Sequence, residues 1–132
     1  MDRMIFVNLP VHDLAASRAF YTGIGLDLNE MFSDEHAACV VVSDTICVML
    51  LERDRFADFT DLPVADARAS TQVLLCLTAG SRGEIDRVVE DAVAHGGREF
   101  RPTQDDGSMY ARAVCDPDGH VWELLHMDLG GG

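Results

Sequence analysis

The chain has little positive charge and no long apolar run. Of its 132 residues, 10 are basic and 23 are acidic, which gives a formal net charge of −13. A negatively charged surface repels nucleic-acid phosphates and anionic lipid head groups. No apolar run approaches the roughly 20 residues of a membrane-spanning helix, and the basic-then-apolar start of an export signal is missing. We therefore expect a cytoplasmic protein that binds neither nucleic acid nor membranes.

The cysteines lack the spacing of a metal-binding or redox motif. No CxxC pair occurs, and each of the four cysteines stands beside Val, Leu, Ile or Ala. Isolated cysteines in apolar surroundings are typical of reduced core residues. We expect this for the whole set, which is Cys39, Cys47, Cys76 and Cys115.

Apolar side chains supply enough material for one folded core. They make up 48% of the chain, too large a share for a disordered acidic segment. A chain of this length buries roughly two-thirds of its unfolded surface and needs no second domain. We predict a single domain over residues 1–132 and interpret the acidity as a solvated surface.

Two helices are indicated by their caps and apolar spacing. Ser81 and Glu84 have the spacing of a capping box at the start of the second helix, and Gly96-Gly97 supplies its end. Its apolar stripe is Ile85, Val88, Val89, Ala92 and Val93. The first helix has Asp13 as its cap and ends at the glycine at 23 or 25. Its inner face is predicted to hold Ala16, Ala19 and Phe20.

Each helix follows one predicted strand and precedes three. The strands are 4–9, 26–32, 38–43 and 46–52 in the first half and 71–78, 98–104, 109–115 and 120–127 in the second. Segment 47–51 lines up with 121–125, which indicates a duplication. We predict an α+β fold of two tandem β-α-β-β-β modules, about 1–52 and 71–128. Residues 53–70 form a linker, with one short helical turn near 56–59.

The duplication also predicts where a ligand binds. Two half-sheets that are each covered by a helix on one face leave their other faces free to curl around a cleft. We predict a cup-shaped mixed sheet with the helices on its outer face, and clefts of this kind commonly hold ligands.

Glu123 is the one acid in an apolar strand that follows directly on the turn Asp116-Pro117-Asp118-Gly119. Pro117 and Gly119 favour a tight reversal of the chain. A buried, charged and unpaired carboxylate costs several kcal/mol, so Glu123 must reach water or hold a cation or a hydrogen-bond donor. It is therefore a site candidate. The alternative is an acid that faces solvent at a sheet edge or accepts bonds from a neighbour.

Two motifs resemble one family. Val11-His12-Asp13-Leu14, followed by Ser17 and Phe20-Tyr21, is similar to its strand-to-helix passage, and residues 116–120 with Glu123 are similar to its last turn and strand. The chain thus resembles the vicinal oxygen chelate superfamily of glyoxalase I, extradiol dioxygenases, fosfomycin-resistance enzymes and bleomycin-resistance proteins. The resemblance implies a homodimer. In the metalloenzymes it implies one divalent ion that chelates two neighbouring substrate oxygens and stabilises an enolate or oxyanion.

The family's four ligand positions fall on Phe6, Met49, Gln72 and Glu123. Phenylalanine has no lone pair, a thioether is a soft ligand, and an amide oxygen is a weak neutral donor. A catalytic ion needs about three good protein ligands and an open position, and Glu123 is the only strong one here. The resemblance to the metal-free bleomycin-resistance branch is closer, and we expect no cofactor.

The predicted ligand-binding residues are Phe6, Asn8, Met49, Gln72, Leu74 and Glu123. Strand alternation allows them to face inward, although Asn8 and Gln72 are somewhat better suited to structural hydrogen bonds between the half-sheets. Further candidates for an apolar pocket are Met31, Phe32, Met49, Phe100, Met109 and Tyr110. Trp122 is predicted to be core. Either face of strand 109–115 is compatible with an inward orientation.

Three functions remain open. The leading hypothesis is a protein that binds a small organic molecule without a catalytic metal. The alternative is a Mn, Fe, Ni or Zn lyase or dioxygenase that uses Glu123 as a ligand, with displaced residues such as His36 or Glu52 completing the site in a dimer. A weaker alternative is a metal-free acid–base enzyme with Glu123 as its tentative catalytic residue.

Overall fold

Two successive copies of one β-α-β-β-β arrangement make up the computed structural model, which describes residues 3–128. The chain divides into two compact units between Asp66 and Ala67, here called module 1 and module 2. The boundary falls inside the predicted linker. The predicted single domain over 1–132 includes residues 1–2 and 129–132, which lie outside the described part, and its unity stays a prediction.

Module 1 contains a four-stranded sheet and one long helix. The elements are β1 Ile5–Val11, α1 Leu14–Gly23, β2 Asp27–Asn29, β3 Ala37–Ser43, β4 Ile46–Glu52 and a short helix α2 Arg53–Phe56. Single 3-10 turns follow β2 at Glu30–Phe32 and α2 at Ala57–Phe59. The strand order is β1-β4-β3-β2, with β1 parallel to β4 and the other pairs antiparallel.

Module 2 repeats this order. Its elements are β5 Leu74–Thr78, α3 Arg82–Ala94, β6 Arg98–Asp105, β7 Met109–Cys115 and β8 Val121–Met127. The sheet order is β5-β8-β7-β6, again with only the first pair parallel. The predicted α+β class and the duplicated module are confirmed.

Several predicted boundaries are wrong for identifiable reasons. Strand 26–32 shrinks to β2 because the Asn29 side chain accepts a bond from the Met31 N–H and opens a 3-10 turn. Strand 71–78 begins only at Leu74, whose partner Val121 is the first residue of β8. Gln72 therefore precedes the strand. The linker's helical segment is longer than the predicted 56–59.

The helices begin at the predicted caps. The Asp13 carboxylate accepts the Ala16 N–H at 3.1 Å, and the Ser81 hydroxyl accepts the Glu84 N–H at 3.1 Å. The Glu84 carboxylate returns to the Gly80 N–H at 2.8 Å, which completes reciprocal capping one residue earlier than predicted. Among the helices of residues 3–128, none has both the length and the apolar character needed to cross a membrane.

One face of each sheet packs against its helix. In module 1, Phe20 and Tyr21 of α1 are fully buried and stack edge to face. In module 2, α3 packs on β6, β7 and β8 with a buried stripe. The buried residues of α3 are Ile85, Val89 and Ala92. Trp122 is 6% exposed, which confirms its predicted core position.

The prediction that every cysteine is a core residue is wrong for Cys76. All four thiols are free, and Cys39, Cys47 and Cys115 are buried, but Cys76 is exposed. It lies on the edge strand β5, and it pairs with Glu123. Alternation therefore turns it to the sheet face opposite Trp122, which α3 does not cover.

Gly119 is required by the turn between β7 and β8. Its φ is +95°, and a Cβ there would lie 2.8 Å from the Ala67 carbonyl oxygen. The Gly119 N–H also donates to the Asp116 carbonyl at 3.0 Å, which closes the turn. The side chain that any other residue adds would meet rigid backbone in an unfavourable conformation.

We expect Gly119→Ala to lower the free energy of unfolding by about 2 kcal/mol or more, because strain and a backbone clash add. Gly107→Ala is the matched control, since Gly107 has φ +92° and open space around its Cα, and it should cost about 1 kcal/mol. Urea denaturation of both variants measures the difference. Equal losses would contradict the role of the close approach to Ala67.

Candidate functional site

The Glu123 carboxylate binds the guanidinium of Arg101. Arg101 Nη1 donates to Glu123 Oε1 at 2.9 Å, and the two side chains are 25% and 19% exposed. Glu123 thus has the cationic donor that its apolar strand demands. Sequence reasoning had identified the acid but not its partner.

Four residues form a row across the sheet of module 2. Cys76 pairs with Glu123, Glu123 with Ala113, and Ala113 with Arg101. Paired residues point to the same side of a sheet, so the row defines one surface, called here the Glu123 face. Leu74, two residues before Cys76, shares this face and is 50% exposed.

A β-bulge brings Arg101 to the Glu123 face. Glu99 pairs with Val114 and Arg101 with Ala113, so two steps on β6 match one step on β7. The extra residue is Phe100, which packs against Ala113, Cys115 and Val121. Without the bulge, alternation would place Arg101 on the same side as Glu99. Bulges commonly re-aim a side chain in this way.

The opposite face of the sheet is tied to α3. Tyr110 and Arg112 Nη1 both donate to the Asp86 carboxylate, and Arg112 Nη2 donates to Glu99. The bonds from Tyr110 first, and then from Arg112, lower the pKa of Asp86, while the bond to Asp86 raises the pKa of Tyr110. This settles the orientation of β7: Tyr110 and Arg112 face the helix, and Ala111 and Ala113 face away. Tyr110 is therefore not on the Glu123 face.

Three predicted ligand-binding residues of module 1 share one sheet face. Asn8 pairs with Met49, and Phe6 lies two residues earlier on β1. Phe6 is 48% exposed, Asn8 is exposed and Met49 is partly buried. Gln72 lies in the irregular segment before β5 and is exposed. Met31 and Phe32, on the 3-10 turn of this module, are 90% and 63% exposed.

The residues do not fit the divalent ion that the family resemblance implies. Within residues 3–128, the only group of three His, Cys or carboxylate ligand atoms lying within 4.8 Å of one another is Asp116, Asp118 and His120. Glu123 is not part of it. The Asp116 carboxylate accepts the N–H groups of Asp118 and His120 at 2.9 and 3.0 Å, so it holds the turn before β8.

Comparisons with known proteins identify the fold. A family model described as the N-terminal part of bleomycin-resistance-like proteins matches residues 3–43. A hypothetical protein from S. aureus is 22% identical with a TM-score of 0.80, and the alignment covers 96% of this chain and 94% of that one. A glyoxalase-related enzyme from Fulvimarina pelagi is 22% identical with a TM-score of 0.81, covering 96% and 88%. A lactoylglutathione lyase from Agrobacterium tumefaciens is 18% identical with a TM-score of 0.67, covering 100% and 98%.

The chain has the fold of these solved structures, and its first third resembles the N-terminal part of bleomycin-resistance-like proteins. No curated protein sequence matches it significantly. Since the structural relatives are less than 25% identical, their likeness establishes the fold and not the activity.

A pocket of about 520 Å³ lies in module 1. It is lined by Val11, His12, His36, Glu52, Arg53, Asp54, Arg55 and Asp58. None of the predicted ligand-binding residues is among them. His36 Nδ1 lies 2.5 Å from Glu52 Oε1, so the carboxylate orients the ring and leaves Nε2 able to exchange a proton. The structure thus brings these two residues together within one module.

The partly buried Arg101–Glu123 pair should contribute measurably to stability. We expect Arg101→Met to lower the free energy of unfolding by about 1–3 kcal/mol, because it leaves a largely buried carboxylate without its donor. Adding Glu123→Gln removes that charge, so the double variant should be less destabilised than the sum of the singles, with a coupling near 1 kcal/mol. The exposed pair Arg55–Asp58, with side chains 45% and 62% exposed, is the control and should couple by about 0.5 kcal/mol or less. Strict additivity at Arg101 and Glu123 would contradict the pair.

His36 should make stability depend on pH. The hydrogen bond to Glu52 raises the pKa of His36 above 6.5. A raised folded-state pKa means that the stabilisation is fully present below pH 6.5 and is lost as the pH rises through the folded value. The stability difference between the wild type and His36→Gln should therefore shrink towards alkaline pH. In an NMR titration, Glu52→Gln should return the pKa of His36 towards its ordinary value, and an unchanged titration would contradict this cause.

Proposed function

We propose that this protein binds a small organic molecule, without a catalytic metal, and that the Glu123 face of module 2 is part of its binding surface. The observation that carries this proposal is the hydrogen bond from Arg101 Nη1 to Glu123 Oε1 at 2.9 Å. The one strong ligand left at the family's metal positions is engaged by a guanidinium.

The chemistry of the other family positions supports a metal-free site. Phe6 and Met49 offer no oxygen or nitrogen, and Gln72 offers only a neutral amide. A cation at Glu123 would have to compete with Arg101 for the carboxylate and would gain no second strong protein ligand from these positions. The acid–base alternative also places Glu123 in the site. It predicts that the protein turns over a substrate, whereas the binding hypothesis predicts that the protein binds its ligand without a reaction.

The side chains of the Glu123 face suit an organic ligand. Phe100 offers an aromatic surface, Ala113 is small, and Leu74 and Cys76 are exposed beside the ion pair. In module 1, the face of Phe6, Asn8 and Met49 combines an exposed ring with an amide and a thioether. Apolar surface with a few polar groups is typical of small-molecule sites.

We also propose a homodimer in the cytoplasm. The edge strands β1 and β5 carry large apolar side chains that are about half exposed, namely Ile5, Phe6 and Leu74. Exposed apolar edge strands favour pairing with another chain, and a second copy is the simplest partner.

Metal analysis separates a binder from a metal-dependent lyase or dioxygenase. We expect protein purified without chelator to hold no stoichiometric Mn, Fe, Ni or Zn by mass spectrometry, and Glu123→Ala to leave the trace content unchanged. Glu99→Ala removes a carboxylate from the opposite face and serves as the control. Near-stoichiometric metal that is lost only in Glu123→Ala would overturn the proposal. If a substrate screen finds turnover that Glu123→Gln abolishes, the acid–base alternative replaces it.

A further inference from the structure

We propose, on the footing of the function above, that Arg101 is the ligand-recognition cation of the Glu123 face and that the ligand is an organic carboxylate with an apolar, preferably aromatic, body. Glu123 acts as a positioning residue that orients the guanidinium. Three features of module 2 carry this assignment: the unused donors of Arg101, the comparison with Arg112, and the bulge.

Arg101 uses one of its terminal nitrogens and leaves the other available. Nη1 donates to Glu123, and Nε is buried with no acceptor among the described residues. No acceptor for Nη2 is found in residues 3–128, and Nη2 is not among the buried atoms. A ligand carboxylate can therefore accept a charge-assisted hydrogen bond from Nη2.

Arg112 lies in the same sheet and has both terminal nitrogens paired, although its Nε is likewise buried with no acceptor among the described residues. Its side chain is 18% exposed, and its Nη1 and Nη2 each donate to a carboxylate, Asp86 and Glu99. Arg101 is similarly shielded, at 25% exposed, but has only Glu123. Arg112 therefore pairs with two carboxylates, and Arg101 pairs with one. A ligand carboxylate would give Arg101 a second carboxylate partner, as Arg112 has.

The bulge at Phe100 places both the Arg101 guanidinium and the Phe100 ring on the Glu123 face. Phe100 packs against Ala113, Cys115 and Val121, while Arg101 pairs with Ala113. The ring and the guanidinium are consecutive in the chain and both lie beside Ala113, which is fully buried. An aryl group with a nearby acid matches this order of apolar surface and donor.

The test compares acids with their neutral amides. Phenylacetate and indole-3-acetate are titrated into the full chain alongside phenylacetamide and indole-3-acetamide, with NMR detection of the arginine Nε–H signals. The Arg101 signal is assigned by its absence from Arg101→Lys. We expect at least one acid to bind and shift this signal, and its amide to bind roughly tenfold more weakly or worse, the loss that one charge-assisted hydrogen bond brings.

Variants of Arg101 show whether this side chain itself binds the carboxylate of the acid. Arg101→Lys and Arg101→Met should each lower the affinity for the acid by roughly tenfold or more. The affinity for the amide should be nearly unchanged. Arg87→Met is the matched control, because Arg87 is exposed on α3 and carries the same charge; it should bind both probes as the wild type does. Circular dichroism verifies that each variant is folded.

Two results would overturn the assignment. Equal affinity for acid and amide, or no shift of the Arg101 signal by either acid at millimolar concentration, would show that Arg101 does not recognise carboxylates. Neither result concerns metal content. The metal-free binding function is therefore tested separately, by metal analysis of the same samples.

Discussion

The strand alternation of module 2, together with the bulge at Phe100, determines which side of the sheet each of two arginines faces. Regular alternation places Trp122 and Arg112 towards α3 and Glu123 towards the other side. The extra residue in β6 then sends Glu99 to one side and Arg101 to the other. Each of these two arginines meets an acid on its own side of the sheet, as a partly buried charge requires.

The two arginines stabilise different things because their partners belong to different elements. Arg112 joins strand β7 to Asp86 of helix α3 and to Glu99 of β6, so its bonds hold the helix on the sheet. Arg101 joins β6 to Glu123 of β8 across the intervening β7. It adds little to the helix packing. A guanidinium that is not needed to attach a helix, and whose Nη2 has no acceptor in residues 3–128, is available for a ligand.

Local sequence signals predicted most of the fold and singled out Glu123, one member of the Arg101–Glu123 pair. The capping side chains Asp13 and Ser81, and the alternation that buries Trp122, act over a few residues and are readable from the chain alone. The start of β5 was missed because it depends on where its partner β8 begins. The partner of Glu123 was missed because the bulge changes the parity of β6, although Pro102 in that strand was a signal: proline is confined to sheet edges and bulges.

An arginine beside Glu123 offers a different positive centre from a divalent ion. A divalent ion at this sheet would neutralise Glu123 and present a positive centre to substrate oxygens. The Arg101 guanidinium neutralises the same carboxylate and presents N–H donors instead, which keeps a positive centre but removes the open coordination positions. Donors of fixed direction favour recognition of planar oxygen pairs over activation of a bound oxygen. Under the function proposed above, the arginine beside Glu123 therefore favours binding over catalysis at this position.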